Sequence, residues 1–300
     1  MGQQRSGCKQ IPATRNEHTL RRLPGFVRGL TADYAPSSVQ PFVILFLPRT
    51  GSNYLASMLD THPEILCHHE LFLPTGVHRS LSVREGQLDL DLGEAAARDR
   101  DPYAFLRKVY SLHMGARAVG FKMSLADPQR AVLAALAGNR RIRKIVVRRD
   151  NWLQVYTSAL IAQQTRQLIR FTDVAGDTSG KAATRVRGSA DNERPRDPAK
   201  VVVDPSEFRR YVKKRLRAYA VLRAFFSLTR QPAMEIEYNE IKDAARMRDV
   251  LRFLRVSPDA PLRERTTKQN PNRLSDRIEN WPEVKGSLEG TRFARFIRDE

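Results

Sequence analysis

The chain has 300 residues, 41% of them apolar and 28% charged, which is typical of one large soluble α/β domain or two small ones. Its formal net charge of +19 favours an anionic partner such as nucleic acid, an acidic membrane or a phosphorylated small molecule. An Arg-rich composition spread over solvated faces would explain the same charge. The two cysteines, Cys8 and Cys67, exclude a disulfide framework and a cysteine zinc site, and they favour a reducing compartment.

Targeting signals are weak in this sequence. The apolar stretch at residues 42–47 is far shorter than the ~20 residues that a membrane-spanning helix needs, and no other apolar run in the sequence comes near that length. The first 25 residues lack the apolar core of a signal peptide, so we expect a cytoplasmic protein. Residues 1–6 fit the short myristoylation pattern, with Cys8 as a second lipid site. Lipidation and peripheral membrane contact therefore stay open.

The apolar patterning predicts a leader and one domain. Residues 1–40 lack sustained periodicity and predict a flexible basic leader, whereas residues 41–300 read as a single domain. The predicted elements in chain order are a strand at 42–47, a helix around 52–61, a short apolar segment at 65–67, a helix near 102–114, a strand at 118–123, a helix capped by Asp127 and ending near 136, a strand at 143–149, a helix capped by Asp150 and ending near 168, a helix at 205–228, a strand through 234–238 and a helix at 241–254. Strands separated by helices predict an α/β fold with a central, mainly parallel sheet covered by helices on both faces.

Residues 171–200 interrupt this pattern with Gly, Ser, Thr, Asp, Arg and Pro. A long connection with no apolar periodicity is usually functional or disordered. We expect a polar lid near 171–200, with a plain disordered loop as the alternative.

The turn after the first strand has the composition of an anion site. A turn that opens a helix exposes backbone N–H groups at the positive end of the helix dipole. Gly51 permits the tight backbone, Thr50 and Ser52 supply hydroxyl donors, and Arg49 supplies a permanent charge with a planar fork of donors. These residues predict a phosphate-like ligand, although a simple Gly-Ser helix cap with an exposed arginine would use the same residues.

Two other classes of protein fit parts of this pattern. A phosphotransferase or nucleotide kinase would use the loop G-x-x-x-x-G-K-[ST], but this sequence lacks the first glycine at that spacing and the lysine after the second. A nucleic-acid-binding protein would use the net charge, but no zinc pattern, aromatic-basic strand motif or helix-turn-helix is evident. We therefore expect no specific nucleic-acid partner.

The segment Pro48–Leu55 resembles the 5'-phosphosulfate-binding loop of the sulfotransferases that use 3'-phosphoadenosine 5'-phosphosulfate as sulfuryl donor. Cytosolic members have a lysine in the place of Arg49, whereas carbohydrate-modifying members often have an arginine. The continuation through Asp60–Pro63 and Glu70–Phe72 is similar to the bacterial carbohydrate-type branch, which includes trehalose and nodulation-factor sulfotransferases. The resemblance implies a P-loop-type three-layer fold, transfer of a sulfuryl group to a hydroxyl of a carbohydrate or glycolipid, and no metal.

The resemblance also implies which residues bind the donor. The loop would contribute Arg49, Thr50, Gly51, Ser52, Asn53 and Tyr54. The block Lys144–Asn151, followed by Tyr156–Ser158, is similar to the 3'-phosphate motif, in which an arginine at a strand end acts with a serine on the next helix; here these are Arg149 and Ser158. The usual spacing falls on Thr157, but the similarity around residues 162–165 favours Ser158. In the tail, Lys268 would approach the nucleotide, with a surface loop as the alternative.

Arg49 and the loop amides would stabilise charge on the departing phosphate.

Three neighbouring residues are candidates for the general base that removes the acceptor proton. Glu70 matches the glutamate proposed as base in the trehalose-type enzymes, and we favour it over His68 and His69, although histidine has the more suitable unperturbed pKa of ~6.5. Lys122 is expected to be a solvated lysine, with contact to acceptor or sulfate as the alternative. The acceptor and the oligomeric state remain open.

Overall fold

The computed structural model describes residues 32–127, 129–165, 200–265 and 273–297, together with the backbone of 169–172 and 184–187. Its centre is a sheet of five parallel strands, β1 (Gln40–Phe46), β2 (Ile65–His68), β3 (Ala118–Ser124), β4 (Arg143–Arg148) and β7 (Ala233–Glu237). Their order in the sheet is β2-β3-β1-β4-β7. This architecture confirms the predicted α/β fold, and it places β1 between β3 and β4.

Helices connect the strands. They are α1 (Ser52–Leu59), α2 (Leu81–Arg84), α3 (Ala95–Arg100), α4 (Pro102–Ser111), α5 (Arg130–Gly138), α6 (Trp152–Thr165), α7 (Pro205–Leu228), α8 (Ala244–Phe253), α9 (Leu274–Arg277) and α10 (Trp281–Leu288), with 3-10 turns at Tyr238–Lys242 and Ala294–Phe296. The short helices α2 and α3 are absent from the sequence prediction, because segments of four and six residues carry little periodicity.

Two predicted helix caps differ in the structure. At the start of α6, Asn151 rather than Asp150 accepts the capping hydrogen bond, from the backbone N–H of Gln154 at 3.1 Å. The carboxylate of Asp150 instead accepts from Arg148 at 3.0 Å. Asp127 accepts from the N–H of Gln129 just before α5 rather than from inside it. Asn, Asp and Ser all serve as caps, so sequence alone does not choose between neighbours.

The polar region near 171–200 contains more regular structure than expected. The backbone of β5 (Ile169–Thr172) pairs antiparallel with that of β6 (Thr184–Arg187). The sequence prediction contains neither strand, because their alternation is too short to stand out against the polar composition. The rest of the expected lid, and the leader up to residue 31, lie outside the described residues.

The core lies on both faces of the sheet because successive strand residues point to opposite sides. From β1, Phe42, Ile44 and Phe46 join a cluster with α1 and α8. Val43 and Leu45 point to the other face and join a larger cluster that includes residues of α4, α6 and α7. The result is three layers, with the sheet in the middle. Among the helices of the described ranges, none combines the length and the apolar character needed to span a bilayer.

Candidate functional site

The carboxyl edge of the parallel sheet collects polar side chains from every strand. Ligands of open α/β sheets bind at this edge. Arg49 follows β1, His69 and Glu70 follow β2, Lys122 lies near the end of β3, Arg149 follows β4 and Tyr238 follows β7. Parallel strands thus bring residues that are far apart in sequence to one place.

The turn between β1 and α1 is held in an unusual conformation. Arg49 and Gly51 have positive φ angles of 72° and 93°, and the left-handed region is costly for a residue such as arginine. The hydroxyl of Thr50 donates to the carbonyl of Leu47 at 2.8 Å, so it fastens the turn and does not point outward. A Cβ added at Gly51 would overlap the ring of Tyr238, which explains why glycine is needed here.

Arg49 and Ser158 are in direct contact. The Nε and Nη2 atoms of Arg49 donate to Ser158 Oγ at 3.0 and 2.9 Å. Burial, and next the nearby guanidinium of Arg149, hold the pKa of Arg49 below its ordinary value. Two guanidinium groups that repel each other at a sheet edge form a site suited to an anion with more than one negative charge.

The residues predicted to bind a 3'-phosphate are only partly brought together. Ser158 is brought to Arg49, whereas Arg149 donates to Gln154 and lies over the ring of Tyr238 at 4.6 Å. Thr157 is fully buried, and its hydroxyl has no hydrogen-bond partner in the described part of the chain. Of the two adjacent residues, Ser158 is the one that contacts a cationic site residue.

Tyrosines that sequence analysis did not assign to the site surround it. Tyr238 packs against Tyr54 with ring centroids 6.3 Å apart, besides its contacts with Gly51 and Arg149. The phenol of Tyr211 on α7 is a buried hydroxyl with no hydrogen-bond partner among the described residues. Burial raises the pKa of Tyr211, and the charges of Arg215 and Arg49 oppose that rise. A signal for Tyr238 was present, because it ends the alternation of a strand at the ligand-binding edge.

Glu70 forms an ion pair with Lys122. The Nζ of Lys122 donates to Glu70 Oε2 at 2.8 Å and lies 4.7 Å from the centre of the Phe46 ring. The Lys122 side chain is 1% exposed and that of Glu70 is 23% exposed. Burial lowers the pKa of Lys122, and Glu70 acts in the opposite direction. The expectation of a solvated lysine at position 122 is wrong, because the short β2 strand places Glu70 beside it.

The two histidines before Glu70 have different surroundings. His68 is fully buried, its Nδ1 accepts from the N–H of Ser80 at 3.1 Å, and burial lowers its pKa to about 3. An imidazole held neutral in this way serves packing better than proton transfer. His69 Nδ1 lies 3.3 Å from Asn53 Oδ1, and this contact joins the start of α1 to the residue next to Glu70.

Arg98 on α3 fixes the segment that follows Glu70. Its guanidinium, 1% exposed, donates through one nitrogen to the carbonyls of Leu71, Leu73 and Gly76 at 2.7, 2.8 and 3.1 Å. Its other nitrogens pair with both carboxylate oxygens of Asp99. A single buried cation thus holds three carbonyls of one loop. No motif identifies this role in sequence, because the partners of Arg98 in that loop are backbone atoms.

Two further expectations concern Lys268 and a metal ion. Lys268 lies outside the described residues. Within the residues that the structure describes, no group of three or more His, Cys, Asp or Glu side chains could hold a metal ion.

The fold and site together define a three-layer α/β protein with a cationic, carboxylate-containing site at the sheet edge. The chain is similar to the Nodulation protein H of Rhizobium tropici, with 26% identity over 270 residues that cover 87% of this chain and 94% of that protein. It is 31% identical over 136 residues to the Nodulation protein H of Rhizobium meliloti (strain 1021), covering 44% of this chain and about half (51%) of that relative's length. No family model matches the chain.

These similarities to Nodulation protein H confirm the family resemblance that the loop and the strand-end motif indicated.

Proposed function

We propose that the protein is a sulfotransferase that moves a sulfuryl group from 3'-phosphoadenosine 5'-phosphosulfate to a hydroxyl of a carbohydrate or glycolipid in the cytoplasm. The observation that carries the proposal is the pairing of Arg49 with Ser158 beside a second guanidinium, that of Arg149. A donor with phosphate groups at both ends would relieve the repulsion between the two arginines. The relatives named above support the same reaction class.

Arg49, Arg149 and the turn at Gly51 fit the donor in chemical type. Arg49 and the backbone N–H groups that open α1 would neutralise charge at the transferable end, where fixed donors are worth most. Arg149, supported by Gln154 and Tyr238, would bind the other phosphate. The buried hydroxyl of Tyr211, which interacts electrostatically with Arg49, is a further donor that an anion would satisfy. The donor itself supplies an activated sulfur–oxygen bond.

Glu70 would remove the acceptor proton, and Lys122 would hold the Glu70 side chain in place. The ion pair at 2.8 Å fixes one oxygen of the carboxylate and leaves the other oxygen for the acceptor hydroxyl. A positioned base is worth on the order of 10² to 10⁴ in rate. The acceptor oxygen forms its bond to sulfur, the bond from sulfur to the leaving phosphate breaks, and the proton goes to Glu70.

Ligand-induced changes in melting temperature test the donor. 3'-Phosphoadenosine 5'-phosphate should raise the melting temperature, and adenosine monophosphate should do so much less. Arg149→Ala should remove most of this difference because the second phosphate loses its guanidinium. The control is Arg148→Ala: the neighbouring Arg148 pairs with Asp150 and Glu235, and its loss should leave the nucleotide response unchanged.

Product analysis tests the reaction. Labelled donor, incubated with a panel of sugars, glycolipids and phenols, should yield a sulfated carbohydrate by mass spectrometry. Glu70→Gln should retain the nucleotide response and lose turnover. Equal responses to the two nucleotides, or stabilisation by ATP that requires magnesium, would contradict the proposed donor, and full turnover in Glu70→Gln would contradict the proposed base.

A further inference from the structure

The outward face of helix α7 combines basic and large apolar side chains. At 100° per residue, the buried residues Phe208, Val212, Tyr219 and Phe226 point to the core. The opposite face carries Lys213, Lys214 and Arg217 around the middle of the helix and Val221, Phe225 and Leu228 towards its carboxyl end. All six are exposed, and the three apolar residues are 62%, 37% and 85% exposed.

The positive charge of this face is not balanced by acidic residues of the same helix. Glu207 is the only acidic residue of α7, and it lies in the first turn, where it pairs with Arg210 at 2.8 Å. Lys213, Lys214 and Arg217 follow without an acidic residue between them. Large exposed apolar side chains rimmed by such a cationic group usually mark an interaction surface.

We propose that this face of α7 docks the protein on the surface of a lipid bilayer that carries anionic headgroups. Val221, Phe225 and Leu228 would enter the boundary between headgroups and acyl chains, and the three cations would lie among the headgroup phosphates. Long lysine and arginine stems can reach the phosphates while the helix lies in the plane of the interface. The docking does not depend on the proposed sulfuryl transfer.

Other partners fit this face less well. A nucleic acid would pair with the three cations but would leave Leu228 and Val221 beside a charged backbone. A second copy of this chain, packed through the same face, would bring either like charges together or the basic half of one helix against the apolar half of the other. An anionic bilayer satisfies both halves at once.

Vesicle sedimentation of the full chain tests the proposal. The protein should bind vesicles of phosphatidylcholine and phosphatidylglycerol, bind pure phosphatidylcholine vesicles poorly, and dissociate as salt screens the charges. Changing Lys213, Lys214 and Arg217 together to Gln should weaken binding to the anionic vesicles by roughly 100-fold. Changing Val221, Phe225 and Leu228 together to Ser should weaken it by roughly 10-fold or more.

Matched variants separate the face from general properties of the surface. The triple change Arg140→Gln, Lys242→Gln and Arg248→Gln removes the same charge from other exposed positions. The triple change Met114→Ser, Val202→Ser and Leu216→Ser removes exposed apolar side chains outside the face. Both controls should bind anionic vesicles like the unchanged chain.

Three results would overturn the proposal. The first is absence of binding to anionic vesicles, or equal losses in the α7 variants and their controls. The second is selective loss of mixed-sequence DNA binding in the α7 variants while vesicle binding persists. The third is a dimer, detected by analytical ultracentrifugation, that the α7 variants convert to a monomer without changing vesicle binding.

Discussion

Lys122 and Lys144 are both buried lysines on the two strands that flank β1, but they lie near opposite ends of those strands. Lys122 is near the carboxyl end of β3 and pairs with Glu70. Lys144 is near the start of β4, where its Nζ donates to Asn139 O and Gln231 Oε1, and burial lowers its pKa to about 7. In sequence, each is one lysine within an apolar strand. Lys122 lies at the carboxyl edge of the sheet, with the candidate site, whereas Lys144 lies at the opposite edge and supports the fold.

Lys122→Met should lower turnover by on the order of 10² or more, because Glu70 loses the cation that fixes it. The response of the melting temperature to 3'-phosphoadenosine 5'-phosphate should persist. Lys144→Met is the matched control, since it removes a buried lysine away from the site, and its turnover should stay near that of the unchanged chain. Equal losses of turnover in the two variants would show that burial, not position, matters.

Gly51→Ala should abolish nucleotide binding and destabilise the fold by roughly 1–3 kcal/mol. The substitution introduces both an unfavourable backbone conformation, at φ 93°, and an overlap with the Tyr238 ring. Gly86→Ala, at φ 74° with no heavy atom within 4 Å of its added Cβ, introduces only the conformational cost. Chemical denaturation and nucleotide titration of both variants would separate the two effects; intact nucleotide binding in Gly51→Ala would mean that the turn does not form the donor site.

Among the structural elements, the strand ends that carry site residues were predictable from the sequence. The side chains that hold the loops between the strands were not. The strand-turn-helix at Arg49 and the strand end at Arg149 follow from local periodicity and turn residues. Helix α3 carries no motif, yet its Arg98 holds the loop after Glu70 through three carbonyl groups. Backbone carbonyls are present at every residue, so no sequence pattern identifies the ones that a side chain will bind.

Arg98→Met should reduce turnover more than nucleotide binding, because the loop that it holds follows Glu70 and not the donor turn. Removing a buried donor from three carbonyls should also lower the free energy of unfolding by roughly 1–3 kcal/mol. The control is Arg100→Met, an exposed position in the same helix, where little change is expected. Turnover measured well below the melting temperature of each variant, together with nucleotide titration, would check the difference. Equal losses of turnover and of nucleotide binding would point to general unfolding instead.

At the scale of the whole molecule, buried titrating groups make stability depend on pH. Asp60 accepts from the N–H groups of Cys67 and Ser82 at 3.2 and 2.9 Å, yet burial raises its pKa from 3.8 to about 6. The folded state therefore holds a proton that the unfolded chain releases. The stabilising contribution of this proton is present below pH 3.8 and is lost as the pH rises through about 6.

Asp60→Asn should remove this dependence while keeping one acceptor oxygen. Relative to the variant, the unchanged chain should lose up to roughly 1.4 kcal/mol of unfolding free energy per pH unit between these two values. Urea denaturation of both proteins across this range would measure it. The nearby His68, whose pKa burial lowers to about 3, acts with the opposite sign, so the difference between the two proteins is the quantity to compare. A constant difference across the range would contradict the raised pKa.

The alternation of strands and helices, the turn at Arg49 and the family resemblance can be recognised in the amino-acid sequence, because each depends on residues within a few positions of one another. The contact of Ser158 with Arg49, 109 residues away, and the ion pair of Lys122 with Glu70, 52 residues away, are seen in the folded chain alone. Both contacts follow from the strand order β2-β3-β1-β4-β7. Periodicity identifies a strand and the faces of its side chains, but it does not identify the neighbouring strand.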